Sequence, residues 1–430
     1  MTAEIEAKKS MDRLVIRGGR PIEGSIQVRG AKNAALPQIA AALLGSDRLE
    51  LGNVPDVIDV ATMLGLMQEF GVAATRAPGG LLVLDARAAR SAQAPYDMVR
   101  KMRAGILVLA PLLARFGEAR VSLPGGCAIG ARPIDLHLKA LEALGAEVAI
   151  DTGYIHAKTR GDRLQGGRIV LTSPSVGASE TALMAATLAR GETEILNAAR
   201  EPEVCDLALC LAAMGARIEG AGTHRILVQG VDALGQARHE LITDRIEAGT
   251  YAIAAAITGG HLEILGAHLE HLGSVGAVLE SAGAQIWPTD RGLMVVRSGP
   301  LQAVDLTTEP YPGFPTDLQA QFMALMTIAA GASVIRETVF ESRFMHVPEL
   351  GRLGANISLQ GSTALVRGVA RLNGAEVMAT DLRASVGLVL AALAAEGETT
   401  VHRIYHLDRG YETLDRKLVQ CGADIRRVAQ

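Results

Sequence analysis

Apolar and polar positions along this chain repeat in a long cycle. Six times an apolar residue closes a helix-like stretch, glycine follows, then Ala or Val opens a strand-like run. The copies are Phe70-Gly71-Val72, Leu144-Gly145-Ala146, Met214-Gly215-Ala216, Ala282-Gly283-Ala284, Leu353-Gly354-Ala355 and Cys421-Gly422-Ala423. They lie about 70 residues apart, a period that marks six structural units. Glycine after an apolar helix is the usual stop, because it enters the left-handed conformation without a Cβ clash. The stops lead into strands such as Glu147-Val148-Ala149-Ile150 and Asn356-Ile357-Ser358-Leu359. Most then turn into a second strand, as in Leu81-Leu82-Val83-Leu84 and Leu293-Met294-Val295-Val296.

A second phrase has the same period: a polar start, then a helix of small and aliphatic residues. Its copies begin at Lys32-Asn33-Ala34-Ala35, Arg100-Lys101-Met102-Arg103, Ser175-Val176-Gly177, Asp244-Arg245-Ile246-Glu247, Asp317-Leu318-Gln319 and Asp381-Leu382-Arg383. Helices apolar nearly all round should be buried. Each unit therefore reads strand, helix, strand, helix, strand, strand. Six such units predict an α/β protein of two pseudo-symmetric domains, three units each, with helices inside and sheets outside.

The polar residues fall at the starts of the buried helices, where free N–H groups and the helix dipole attract anions. Lys32, Arg103, Arg132, Arg245, Arg383 and Arg409 would add full charges there. Simple capping accounts equally well for Ser175, Asp244 and Asp317. It accounts less well for lysine and arginine, which the dipole disfavours at that end.

Composition narrows the classes. The chain has 430 residues, 49% hydrophobic and 20% charged, which is ordinary for a globular protein with ample core. Aromatics are only 3%, so Ala, Leu, Ile and Val must fill that core. A net charge of -4 gives no electrostatic footprint for nucleic acid. The longest apolar run, 104 to 114, holds Pro111 and falls short of the roughly 20 residues a bilayer demands, so no membrane role is expected. Cys127, Cys205, Cys210 and Cys421 show no metal-ligand spacing, and neither a metal nor a cofactor is expected. Free cysteines and a start without the apolar segment of a secretion signal point to the cytoplasm.

One loop concentrates chemistry: Leu123-Pro124-Gly125-Gly126-Cys127-Ala128-Ile129-Gly130-Ala131-Arg132-Pro133-Ile134-Asp135-Leu136-His137. Proline and paired glycines cannot propagate a helix, so Cys127 is expected on a loop, with Arg132 and Asp135 near a helix start. Positive charge beside a thiol favours the reactive thiolate. Three more stretches are too polar for connectors. Residues 310 to 317, Pro-Tyr-Pro-Gly-Phe-Pro-Thr-Asp, form a stiff loop that delivers Asp317 as a general base. Residues 340 to 346 mix aromatics with Glu341, Arg343 and His346, and residues 403 to 412 alternate charges beside Gly410. Surface ion pairing is the alternative reading of each. No P-loop, Rossmann glycine pattern or nucleophile elbow occurs.

Taken together, Gly30-Ala31-Lys32-Asn33-Ala34-Ala35-Leu36-Pro37, the Cys127 loop, Ala198-Ala199-Arg200-Glu201-Pro202-Glu203, Phe314-Pro315-Thr316-Asp317, residues 340 to 346, Met378-Ala379-Thr380-Asp381-Leu382-Arg383 and His406-Leu407-Asp408-Arg409-Gly410-Tyr411-Glu412 resemble the UDP-N-acetylglucosamine 1-carboxyvinyltransferases. The resemblance runs from about Met11 to the end. It implies the enolpyruvyl transferase fold, two inside-out α/β domains of three repeats each. Residues 1-31 and 243-430 would form a discontinuous domain and 32-242 the other, with the active site in the cleft between them. The implied reaction moves enolpyruvate from phosphoenolpyruvate to the 3-hydroxyl of UDP-N-acetylglucosamine, the first committed step of peptidoglycan synthesis.

By this resemblance Lys32, Arg132 and Arg409 hold the phosphate and carboxylate of phosphoenolpyruvate, with Arg103 and Arg383 close by. Cys127 donates a proton to the enol carbon, and closure of its loop would exclude water. Asp317 is the base near the sugar hydroxyl, with Asn33 beside the sugar. Arg132, Pro133, Asp135, Leu136 and His137, then Ser175, Val176, Gly177 and Val339, lie along the uridine nucleotide. Glu201, Asp244, Arg343 and Asp381 complete the implied substrate-binding set. Ser173 stands where some members carry lysine, so one nucleotide-phosphate contact would be missing or replaced. Two alternatives remain at this point. One is the sister enzyme acting on shikimate 3-phosphate, which resembles Gly-Ser-Lys-Ser at the first helix and lacks the Cys127 loop. The other is a catalytically idle paralogue that binds UDP-sugar.

Overall fold

The computed structural model describes residues 12–90, 93–100, 102–124 and 134–429. One repeat shows the plan. Strand Arg168–Val170 leads to helix Val176–Thr187, strand Glu192–Leu196, helix Pro202–Ala213 and strands Arg217–Glu219 and Arg225–Gln229. The first two strands pair in parallel, Ile169 opposite Ile195, and the last two add antiparallel. A parallel pair needs a crossover, and the buried helix supplies it. Among the described residues this four-stranded sheet occurs six times.

The glycine stops account for the period. Gly71, Gly145, Gly215, Gly283, Gly354 and Gly422 all have φ between +82° and +109°. At Gly145 a Cβ would meet nothing within 4 Å, so the backbone angle alone calls for glycine there.

The described chain divides into two compact units. One comprises residues 12–29 and 243–429; two of its three sheets borrow a strand from the start of the chain. Glu23–Gln27 pairs in parallel with His261–Leu265, supplying the opening strand for helix Arg245–Thr258. Arg13–Arg17 lies between Glu398–His402 and Asp424–Val428, antiparallel to both. The other unit comprises the described residues of 30–124 and 134–242. Its first repeat is completed by its last strand, Ala237–Glu240, parallel to Arg48–Gly52. Each unit has its own core of aliphatic residues.

The central helices are buried as the pattern predicts. Every residue of Gln319–Met326 is buried, and so is every residue of Lys32–Ala41 except Asn33. Small residues let them approach closely: a Cβ on Gly387 would lie 2.8 Å from the Ala320 carbonyl oxygen. Scarce aromatics thus suit a core of helices in near backbone contact.

Two helix starts differ from the sequence reading. Arg103 opens a 3-10 helix, Arg103–Val108, and the α-helix begins only at Leu109. Pro111 then falls in the first turn, where its missing N–H has no helical partner to lose. Likewise Thr316–Leu318 is a 3-10 turn entered from Pro315, before the α-helix begins at Gln319. Among the described residues no helix is long and apolar enough to cross a membrane.

Candidate active site

In the unit of residues 12–29 and 243–429, Asp317 is gripped by two buried arginines. Arg343 Nη2 lies 2.7 Å from its Oδ1, and Arg383 Nε donates to its Oδ2 at 3.2 Å. The carboxylate is therefore not the helix cap that the sequence allows; Asp317 lies inside the first 3-10 turn, and its carboxylate meets two guanidinium groups. The residue's carbonyl is held too, accepting from Gln321 Nε2 at 2.9 Å. Gln321 Nε2 also reaches the Tyr411 hydroxyl at 3.3 Å, and that hydroxyl lies 3.0 Å from Thr250 Oγ1. The Tyr411 ring sits 5.3 Å from the Arg383 guanidinium carbon. Arg383 is 2% exposed, yet among the described residues Nη1 and Nη2 find no well-formed hydrogen bond, the Tyr411 phenol being the polar group beside them. Burial works against the charge, but the Tyr411 phenol, Asp317 and Asp244 outweigh it and hold the guanidinium above its ordinary pKa. A buried, charged fork of this kind has the chemistry to receive an anion.

Asp381 and Asp244 cap the two neighbouring helices. Asp381 accepts from the N–H groups of Arg383 and Ala384 at 2.8 and 3.0 Å; Asp244 accepts from Ile246 and Glu247 at 2.9 and 3.0 Å. His346 is buried, and among the described residues neither ring nitrogen has a hydrogen-bond partner; desolvation, aided by Arg343 and opposed by Asp381, holds its pKa down to about 4. Arg409 ends the 3-10 helix Ile404–Arg409 and is half-buried. Val339, 37% exposed, donates its N–H to Glu337 Oε1 at 2.9 Å.

The unit of residues 30–242 holds a second set. Lys32 is the first residue of its helix, and its Nζ lies 3.3 Å from Asp59 Oδ2, both side chains buried. Asn33 follows, half-buried. Ser175 caps helix Val176–Thr187, its hydroxyl accepting from Ala178 N–H at 3.4 Å. His137, from helix Asp135–Ala143, packs on that start: its Nδ1 lies 2.8 Å from Thr181 Oγ1. A Cβ on Gly177 would come 2.8 Å from His137 Cε1, so the ring can lie there only because residue 177 has no side chain. Burial, with the Arg103 charge added, holds His137 down to about 4. Asp135 is exposed beside Lys139, and half-buried Leu136 packs on the core. Glu201 precedes helix Pro202–Ala213, with Glu203 in its first turn. Glu180, 3% exposed, is pushed well above the usual carboxylate range by burial and by Glu203 and Glu201. Ser173 is exposed. Cys127, Arg132 and Pro133 lie outside the described residues.

Comparison with known proteins identifies the family. The sequence profile described as EPSP synthase (3-phosphoshikimate 1-carboxyvinyltransferase) matches residues 16–418. A protein from Mesorhizobium japonicum named UDP-N-acetylglucosamine 1-carboxyvinyltransferase 2 is 68% identical, over 97% of this chain and 100% of that one. One from Granulibacter bethesdensis, named UDP-N-acetylglucosamine 1-carboxyvinyltransferase, is 58% identical with the same coverage of both chains. The chain belongs to the UDP-N-acetylglucosamine 1-carboxyvinyltransferase family. Among solved structures, the enolpyruvyl transferase NikO from Streptomyces tendae superposes with a TM-score of 0.86 at 28% identity, covering 98% of this chain and 100% of that one. An EPSP synthase from Acinetobacter baumannii gives 0.75 at 18% identity, covering 97% and 100%, and shares the fold. The two-domain α/β architecture is thus that of the enolpyruvyl transferases.

Sequence reasoning missed part of the machinery around Asp317. Tyr411 lies within the 406–412 stretch, but no local pattern marks it as a support for Arg383. Gln321 had one available sign, a second glutamine in an otherwise apolar helix run. Glu337 follows strand Ala332–Arg336 with no local pattern to mark it, because its partners come from segments up to 29 residues away.

Proposed function

We propose that this protein transfers the enolpyruvyl group of phosphoenolpyruvate to the 3-hydroxyl of UDP-N-acetylglucosamine and releases phosphate, the first committed step of peptidoglycan synthesis. The supporting observation is the Arg383–Asp317 arrangement: a buried guanidinium whose two terminal nitrogens find no well-formed hydrogen bond among the described residues, held by the carboxylate that would act as base. Phosphoenolpyruvate is a compact polyanion, and an arginine fork suits its carboxylate or phosphate.

The chemistry needs one acid and one base. The sugar oxygen bonds to C2 of phosphoenolpyruvate as its proton leaves toward Asp317, and C3 takes a proton from Cys127. The resulting tetrahedral adduct loses a proton from C3 and phosphate from C2, restoring the double bond. Lys32, Arg132 and Arg409 would neutralise the anionic donor, with Arg103 and Arg383 beside them. Arg343 and Asp381 keep the base and its arginine in place. Asn33 would meet the sugar; Pro133, Asp135, Leu136, His137, Ser175, Val176, Gly177 and Val339 would line the nucleotide, with Glu201 and Asp244 at the adjoining helix starts. Cytoplasm is the compartment that fits, since Cys205, Cys210 and Cys421 are free thiols.

The test is phosphate release from phosphoenolpyruvate with UDP-N-acetylglucosamine and, separately, with shikimate 3-phosphate. Release with the sugar nucleotide alone, lost on Cys127→Ala, is the expected result. Release only with shikimate 3-phosphate would overturn the assignment. Tight sugar-nucleotide binding with no phosphate from either acceptor would leave an idle binding protein instead.

A further inference from the structure

One buried carboxylate outside the recognised motifs ties the parts around Asp317 together. Glu337 is 2% exposed and sits just past strand Ala332–Arg336. Its Oε1 accepts from three donors: Thr308 Oγ1 at 2.9 Å and the main-chain N–H groups of Val339 and Phe340 at 2.9 and 3.1 Å. Its Oε2 accepts from Thr316 Oγ1 at 2.8 Å. Thr316 has spent its only proton on Glu337, so its lone pairs are left to face Arg343, whose Nη1 donates to it at 3.0 Å. Arg343 Nη2 then holds Asp317 at 2.7 Å. The order of donors is forced. A carboxylate can only accept, the hydroxyl must donate to it, and the guanidinium must donate to the hydroxyl.

We infer that Glu337 is a positioning residue for Asp317, acting through Thr316 and Arg343; this rests on Asp317 being the base of the transfer reaction. The carboxylate form is required, since four donors converge on its two oxygens. An amide in its place would keep an oxygen for the three donors at Oε1 and turn its NH2 toward Thr316. That hydroxyl would then receive from two sides, and its own proton would have to point elsewhere, loosening Arg343 and with it Asp317.

The test uses the full chain and follows phosphate release with UDP-N-acetylglucosamine at saturation, alongside thermal melting. Glu337→Gln and Thr316→Val should each lower kcat by about tenfold or more, the scale of one lost charge-assisted hydrogen bond. Both should leave the KM for the nucleotide within about twofold, because the Oε1 contacts to Val339 and Phe340 survive. Thr316→Ser keeps the hydroxyl and should recover kcat to within about threefold of wild type. A merely structural threonine would not make serine and valine differ in kcat at equal melting temperature. If Glu337→Gln fails to fold, the Thr316 pair carries the test alone. Wild-type kcat in Thr316→Val, or equal losses in the serine and valine variants, would overturn the inference while leaving the reaction standing. An inactive wild-type protein would overturn both.

Discussion

Arg383 donates from Nε to Asp317 Oδ2 at 3.2 Å while its two terminal nitrogens, buried, find no well-formed hydrogen bond among the described residues. One guanidinium thus orients a carboxylate, and in the proposed reaction its two terminal donors would turn to the anionic donor substrate. Arg383→Lys retains the charge but replaces the planar fork with a point charge. We expect kcat/KM for phosphoenolpyruvate to fall by about 100-fold, the worth of one or two charge-assisted hydrogen bonds. Steady-state kinetics with the donor varied checks this; an unchanged value would remove Arg383 from the donor site.

Gly177 and His137 share a space too small for another carbon. Gly177→Ala puts a methyl 2.8 Å from His137 Cε1 and 3.1 Å from Nε2. The ring or the start of helix Val176–Thr187 must shift, at about 1–3 kcal/mol of stability. A raised KM for UDP-N-acetylglucosamine should accompany the lower melting temperature, if this helix start meets the nucleotide. Destabilisation with an unchanged nucleotide KM would count against that contact.

Acid stability should depend on two buried histidines. His137 and His346 are held down to about 4 from the ordinary 6.5, mainly by burial, so both are neutral in the folded protein at pH 5. The unfolded chain takes up those protons below pH 6.5, so their contribution to stability is present above that pH and is lost as pH falls toward 4. At pH 5 each neutral histidine forfeits about 2 kcal/mol relative to pH 7. Urea unfolding at the two pH values should show a smaller pH effect in His346→Leu than in wild type. Identical pH effects would refute the assignment.

Glu180 acts in the opposite direction. Its folded pKa lies well above the ordinary 4.5, because burial and the neighbouring Glu203 and Glu201 disfavour its charge. Above pH 4.5 the unfolded chain releases this proton and the folded chain keeps it, so stability falls as pH rises toward the folded pKa. Glu180→Gln mimics the protonated form. Its melting temperature should exceed that of wild type at pH 8, and the gap should close as pH approaches 4.5. A gap that stays constant with pH would show that Glu180 is not protonated in the fold.

Two glycines should fail for different reasons. Gly145→Ala meets no atom within 4 Å but keeps φ at +86°, so it should cost about 1 kcal/mol. Gly387→Ala drives a methyl to 2.8 Å from the Ala320 carbonyl oxygen, where helix Leu382–Ala394 packs on Gln319–Met326. Main chain cannot step aside as a side chain can, and the loss should be clearly larger. Urea denaturation of both variants decides it; equal losses would mean that the helices separate freely.

The sequence by itself determined what short-range chemistry can specify. A helix stop needs a left-handed residue at one place, so Gly71 to Gly422 announced six units with no knowledge of their partners. Small-residue helices announced a buried interior, because no polar face was available for water. Asp317, Arg343 and Arg383 stood out as charges in unusual local company, and family resemblance named them. Tertiary structure decided what depends on residues distant in the chain. The place of Arg13–Arg17 between Glu398–His402 and Asp424–Val428 follows from hydrogen-bonding edges that exist only once those strands have formed. That Asp317 meets two arginines instead of capping a helix, that Tyr411 lies under Arg383, and that Glu337 anchors Thr316 are likewise long-range facts. A buried polar side chain is tolerable only where partners converge on it, and convergence is a property of the folded chain.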